Sequence, residues 1–175
     1  RSGEEIARVP ESGALLEQVA PIALSPSGDR LAVATREARM LYDVEAGKRM
    51  GDIRVWPWEM KFSPDGNTIA AANPDGTVTL LDGHTGETRV ALQASGGVRA
   101  EDPRVFTMAP GSGMTFVPQG KAASLSFSED SRLLASVGDD GTVAVTDVEA
   151  GQVLVRLMWV GGPGVADGGW IAWTP

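Results

Sequence analysis

Three stretches within residues 127–151 decide the fold: Phe127-Ser128-Glu129-Asp130-Ser131, then Leu133-Leu134-Ala135-Ser136-Val137-Gly138-Asp139-Asp140-Gly141-Thr142-Val143, then Thr146-Asp147-Val148-Glu149-Ala150-Gly151. Asp140-Gly141 between two apolar runs is a strong hairpin signal, because aspartate bonds its own backbone and glycine takes positive φ without steric cost. The alternation Thr142-Val143-Ala144-Val145 has the period of two expected of a strand. These residues predict short antiparallel strands joined by tight turns.

The same unit recurs along the chain. Leu24-Ser25-Pro26-Ser27-Gly28 and Phe62-Ser63-Pro64-Asp65-Gly66 correspond to Phe127–Ser131, and an apolar stretch follows each (Leu31–Ala34, Ile69–Ala72, Leu133–Val137). A turn comes next, clearest as Pro74-Asp75-Gly76-Thr77. A second strand then ends on Asp43, Asp82 or Asp147, with Gly47, Gly86 or Gly151 four residues later. A last apolar stretch closes the unit, as in Thr88–Leu92 and Val153–Met158. Asp43 to Asp82 and Gly47 to Gly86 are both 39 residues apart, whereas Phe62/Phe127, Gly76/Gly141, Asp82/Asp147 and Gly86/Gly151 are each 65 apart. A repeat of about 40 residues with one insertion of about 25, between Leu92 and Ala123, accounts for both spacings, and that period is one four-stranded β-propeller blade. No stretch carries sustained helical periodicity; Ala14–Val19 could form a helical turn or two.

Residues 62–66, 133–143 and 146–151 together resemble the WD-repeat β-propellers, and the resemblance covers essentially Arg1 to Pro175. The tryptophan of the family's Trp-Asp pair is replaced by Tyr42, Leu81 and Thr146. The Gly-His pair that opens a repeat is missing, and Gly83-His84 lies instead in the turn after the aspartate. The segment Trp170-Ile171-Ala172-Trp173-Thr174-Pro175 is similar to one in bacterial WD-repeat proteins. The resemblance implies an all-β chain: an arc of consecutive four-stranded antiparallel blades, part of a larger propeller. The expected blades are about 21–53, 58–92 and 122–158. Residues 1–9 are expected as the outer strand of a preceding blade, 93–121 as an insertion loop, and 170–175 as the first strand of a following blade.

Composition excludes several functions. With 15 basic and 23 acidic residues the net charge is −8, and no local basic patch offsets it, so no nucleic-acid partner is expected. There is no cysteine and one histidine, His84, which removes disulfides, thiolate zinc sites and cysteine nucleophiles. No catalytic set, metal site or cofactor is expected, and His84 reads as a solvent-exposed turn residue. The longest apolar runs are a few residues, far short of the ~20 of a spanning helix, so no membrane partner is expected. No leader is visible, which makes the cytoplasm the expected compartment.

In the family, the loops between blades and the turns between second and third strands share one face. Here those loops are Pro10–Pro21, the Trp56-Pro57-Trp58 segment, Gln93–Lys121 and Trp159–Gly169. Exposed Trp, Arg and Met are enriched at binding hot spots, so Trp56, Arg99, Arg104, Phe106, Met108 and Trp159 are the candidate partner-binding residues. Trp58, beside an inner strand, is expected to pack between blades. Asp43, Asp75, Asp82, Asp140 and Asp147 recur with the scaffold, one place per blade, and therefore read as structural turn residues rather than catalytic or metal-binding ones. In the family a turn aspartate bonds a blade Ser or Thr and a histidine; Asp140 and Ser136 match two members of that network.

The resulting expectation is a non-catalytic protein–protein interaction module. The alternatives are a fragment of an enzymatic propeller, of metal-dependent lactonase or quinoprotein type, and a regulatory propeller of a multidomain peptidase-like or signalling protein. Propellers close with about 4 to 8 blades, so the expected partners are a protein or further blades, from the same chain or another. The faces awaiting such blades are expected around Leu31, Val33 and Leu41 on the first blade, and around Leu134, Val143 and Val145 on the third.

Overall fold

The computed structural model describes residues 21–35, 38–94, 122–138, 141–160 and 169–174. The expected strand at 1–9, most of the insertion, and Asp140 lie outside these residues. The described secondary structure is all β. The first sheet holds β1 (Ile22–Leu24), β2 (Arg30–Ala34), β3 (Arg39–Asp43) and β4 (Lys48–Asp52); the second holds β5 (Glu59–Phe62), β6 (Thr68–Ala72), β7 (Thr77–Asp82) and β8 (Thr88–Gln93). The third holds β9 (Ala122–Phe127), β10 (Leu133–Gly138), β11 (Thr142–Asp147), β12 (Gln152–Val160) and β13 (Gly169–Trp173). All neighbours are antiparallel, each strand paired with the next in sequence. These sheets are successive propeller blades.

A serine closes the turn that opens each blade. Ser63 Oγ accepts the Thr68 amide at 3.0 Å, Ser128 Oγ accepts Leu133 at 2.9 Å, and Ser25 Oγ accepts Arg30 at 3.0 Å. Each hydroxyl donates to a carboxylate of the same turn: Ser63 to Asp65, Ser128 to Asp130 at 2.6 Å, and Ser25 to Asp29 at 2.7 Å. Gly28 and Gly66 complete two of these turns at φ 76° and 73°, while Ser131 takes the same left-handed geometry at 62° in the third. Gly47, Gly86 and Gly151 also have positive φ, which is why a glycine recurs four residues after each strand-ending aspartate.

Two apolar interfaces join the sheets. Ala32, Leu41 and Ile53 of the first pack on Met60, Ile69, Ala71 and Leu81 of the second. Ala70, Ala72, Val78 and Leu80, from the opposite face of the second sheet, pack on Leu125, Leu134 and Ala144 of the third. Full burial of one such Leu or Ile is worth roughly 1.5–3 kcal/mol. The first strands lie side by side, β1 against β5 and β5 against β9, as in blades that converge on an axis.

Three expectations need correction. Leu41 is opposite Ala32 in the β2–β3 register and faces the second sheet; Leu31 and Val33 pair with Tyr42 and Met40 on the other side. Leu134 likewise faces the second sheet, whereas Val143 and Val145 belong to the outer face. In both cases the hairpin register, and not the run of apolar residues, fixes the side. Third, Gly169–Trp173 does not start a separate sheet. It is antiparallel to β12, with Arg156 opposite Trp173 and Val160 opposite Gly169, and makes the third sheet five-stranded. The nine-residue β12, longer than β4 or β8, offers enough free edge to take it.

Candidate functional site

The two ends of the sheets differ in construction. At one end lie the serine turns and the turns after Asp43, Asp82 and Asp147, tied together by Val44 N–H to Asp29 O, Gly83 N–H to Asn67 O, and Val148 N–H to Arg132 O. Here Asp43, Asp82 and Asp147 each accept amides of their own turns. Asp43 accepts the Ala46 amide at 2.7 Å, Asp147 accepts Ala150 at 2.8 Å, and Asp82 accepts His84 and Thr85, both at 2.9 Å. Burial would raise the Asp82 carboxyl, but Arg89 at 2.6 Å and those two amides outweigh it and hold the group at about 2. The Ser27 and Ser25 hydroxyls hold Asp29 far below the usual carboxylate range. Asp130, bonded by Ser128 and the Arg132 amide, is also lowered.

This end also carries the polar joints between blades. Buried Arg30 donates from Nη1 to Gly66 O at 3.0 Å, Gly83 O at 2.7 Å and His84 Nδ1 at 3.1 Å. Arginine only donates, so His84 Nδ1 is the acceptor and its Nε2–H faces Asn67 Oδ1 at 3.1 Å. His84 is exposed as expected, yet it bonds across two sheets, a role its sequence position does not reveal. The next joint is the Asp65 amide donating to Ser131 Oγ at 3.0 Å.

The opposite end is assembled from the turns between second and third strands and the connections between sheets. Ile53 N–H bonds Arg39 O at 3.2 Å, Trp58 N–H bonds Ala72 O at 2.7 Å, and Ala94 N–H bonds Gly76 O at 3.3 Å. In the turn before Gly76, Asp75 accepts the Thr77 amide at 3.0 Å and its hydroxyl at 2.6 Å. Asn73 donates to Thr77 and Thr79 hydroxyls beside it, at 3.0 and 2.8 Å. Ser136 Oγ, by contrast, is buried with no hydrogen-bond partner among the described residues.

The connection from the first sheet to the second alternates strictly. Ile53 and Pro57 are buried and Val55 packs against the apolar interface, while Arg54, Trp56 and Trp58 point outward. The gap between sheets is therefore filled by Ile53, Val55 and Pro57. Trp58 was expected in that role but is 46 % exposed. Trp56 is 52 % exposed, and the Arg39 guanidinium lies 3.9 Å from the centroid of its ring. Of the other candidate residues, Trp159 lies in β12 in register with Trp170. Arg99, Arg104, Phe106 and Met108 lie outside the described residues, as does Asp140. Arg39, which carries no signal of its own in the sequence, is brought to Trp56 by the fold, with its carbonyl accepting the Ile53 amide at the start of the connection. Among the described residues no three of His, Asp and Glu converge as a metal site would require, and no helix is long and apolar enough to cross a membrane.

The model of the WD domain, G-beta repeat (WD40), matches residues 55–82 and 114–147. The chain is similar to WD repeat-containing protein 1 of Gallus gallus, 35 % identical over 95 residues, which are 54 % of this chain and 12 % of that protein. The same protein of Bos taurus is 34 % identical over the same length. Protein HIR1 of Kluyveromyces lactis is 30 % identical over 123 residues, 66 % of this chain and 14 % of that protein. The chain thus spans a small fraction of the length of the relatives it matches. Repeat spacing, blade topology and these matches agree on blades of the WD-repeat type, the family model itself covering residues 55–82 and 114–147.

Proposed function

We propose that this chain is a non-catalytic protein-interaction module that engages its partner through the end bearing Trp56. The WD-repeat family relation supports an interaction or scaffold role. The observation that carries the finer reading is the half-exposed Trp56 ring held under Arg39 on a connection whose alternate residues are anchored in the core. An indole fixed this way contributes contact area at little entropic cost, the usual property of a hot-spot residue. The carboxylates at the other end are occupied by turn amides, which favours a scaffold over a catalytic role. The same reading has the outward faces of the first and third sheets packed against further blades, as both faces of the second are packed here.

The test places a photo-crosslinking residue at position 56 and, separately, at Glu45 on the opposite end. Any protein captured is then purified and titrated against wild-type chain and Trp56→Ala. The reading expects capture at position 56 and a loss of at least about tenfold in affinity on truncation. Capture only at position 45, or unchanged affinity of Trp56→Ala, overturns it.

A further inference from the structure

We infer that the partner segment received at Trp56 is acidic: an extended peptide carrying carboxylates beside an apolar residue. This rests on the reading of Trp56 as the binding end, and adds the chemistry of what binds there.

Four cations in the described sheets have carboxylate partners: Arg30 with Asp29, Arg49 with Asp52, Lys61 with Glu59, and Arg89 with Asp82. Arg39 has none among the described residues; its described side-chain contact is the Trp56 ring. Arg54, two residues before Trp56 and exposed, also lacks a carboxylate among the described residues. The acids that border this connection in sequence are already engaged, Asp52 by Arg49 and Glu59 by Lys61. Lys48, Arg132 and Arg156 also form no ion pair among the described residues, so what sets Arg39 and Arg54 apart in a chain of net charge −8 is that both flank exposed indoles on one short connection.

The geometry suits a carboxylate. The Arg39 guanidinium lies over the Trp56 ring and makes no hydrogen bond to the described residues, and a planar, weakly hydrated guanidinium presents its N–H groups as a fork matched to a carboxylate. Trp56 and Trp58 supply apolar surface beside that fork. Residues that alternate carboxylate and apolar side chains along an extended segment would reach both. The ring stacking also keeps the arginine from collapsing onto the chain's own acids, so its ordering cost is met before binding.

The probe is a short labelled peptide alternating Glu and Leu, compared with the same peptide carrying Gln for Glu, by fluorescence anisotropy on the 175-residue chain. The inference expects the acidic peptide to bind at least about tenfold tighter, as two charge-assisted contacts allow, with the advantage shrinking as salt rises. Arg39→Gln should remove most of that preference while leaving binding of the Gln peptide unchanged, and Trp56→Ala should weaken both peptides. Equal binding of the two peptides, both weakened by Trp56→Ala, overturns the acidic assignment but leaves the binding end in place. Indifference of both peptides to Trp56→Ala overturns the binding end itself. Undetectable binding of the acidic peptide, or tighter capture of a single-stranded oligouridylate than of that peptide, overturns the inference in favour of a different ligand class.

Discussion

The second and third sheets are built from one sequence unit, offset by 65 residues, yet their residues meet different surroundings. All five residues of β6 are buried, whereas β10 alternates between buried and exposed positions. Thr68, at the head of β6, is 4 % exposed and accepts a bond from Arg89; Leu133, its counterpart in β10, is 39 % exposed. A polar residue is thus inside and an apolar one outside at the same place in the repeat. Burial here is set by whether a neighbouring blade is present and not by residue type. The outward face of the third sheet, with Leu133, Val137, Val143 and Val145, is at least as apolar as the equivalent packed face of the second.

The sharpest test of that difference is truncation on the two faces. Ile69 is fully buried between the first and second sheets, so Ile69→Ala should cost about 2–5 kcal/mol, the range for a large side chain removed from a packed core. Leu133→Ala should cost under about 1 kcal/mol in this chain, because the side chain is already half in water. Urea unfolding of both variants checks the contrast. Equal losses would mean that the third sheet's outward face is covered.

A second variant probes the contact that packs the first sheet against the second. Gly51 lies against the Thr85 carbonyl, and a Cβ there would overlap a backbone oxygen that cannot rotate away. Gly51→Ala should cost about 1–3 kcal/mol, typical of overpacking, and lower the unfolding midpoint accordingly. At Gly169, on β13 of the third sheet, a Cβ meets nothing within 4 Å, so Gly169→Ala is the matched control. An unchanged midpoint for Gly51→Ala would show that the first two sheets are less tightly joined than their shared core implies.

Much of this architecture was legible in the sequence because turns are local chemistry. The Ser63-Pro64-Asp65-Gly66 turn, the Asp75-Gly76 pair and the glycine four residues after each strand-ending aspartate act within a few residues of themselves, and each is realised in the structure as a bond or a positive φ. What stayed hidden depends on pairing across distance. The side occupied by Leu41 and Leu134 follows from hairpin register, the fifth strand follows from the spare edge of β12, and Arg30 acts on carbonyls of the next blade. A strand-like segment such as Trp170–Trp173 shows its conformation in sequence but not its partner. The candidate site was half legible: Trp56 stood out by type, whereas Arg39 is ordinary until the fold sets it on the ring.

The carboxylates set the acid limit of the packed end. Asp82 is lowered from 3.8 to about 2 on folding. A group lowered in the folded chain adds stability above its unfolded value and loses it as pH falls through the folded one. Asp82→Asn should therefore cost about 1 kcal/mol at neutral pH, the scale of a bond to a charged partner on a partly exposed group. That cost should shrink from about pH 4 downward and vanish near pH 2. Urea midpoints of both proteins across that range check it, and a gap independent of pH would assign the loss to turn geometry alone.

The smallest effect separates the two blade joints. At the first, Gly66 holds the left-handed position at φ 73° and its carbonyl accepts from Arg30. At the second, Ser131 holds the corresponding position at φ 62° and its hydroxyl accepts the Asp65 amide from the neighbouring sheet. A non-glycine residue there carries about 1–2 kcal/mol of steric cost, and one hydrogen bond returns about 0.5–1.5 kcal/mol. Ser131→Gly gives up both and should leave stability within about 0.5 kcal/mol of wild type. Ser131→Ala keeps the strained backbone and loses the bond, so it should be less stable than the glycine variant by about 1 kcal/mol. The order wild type ≈ Gly > Ala, read from urea midpoints at neutral pH, identifies the hydroxyl as the reason serine is tolerated. Were alanine to match glycine, the joint between second and third sheets would rest on the apolar interface of Leu80, Leu125 and Leu134 and on the bonds of Lys61 to Leu125 O and Arg156 to Gln93 O.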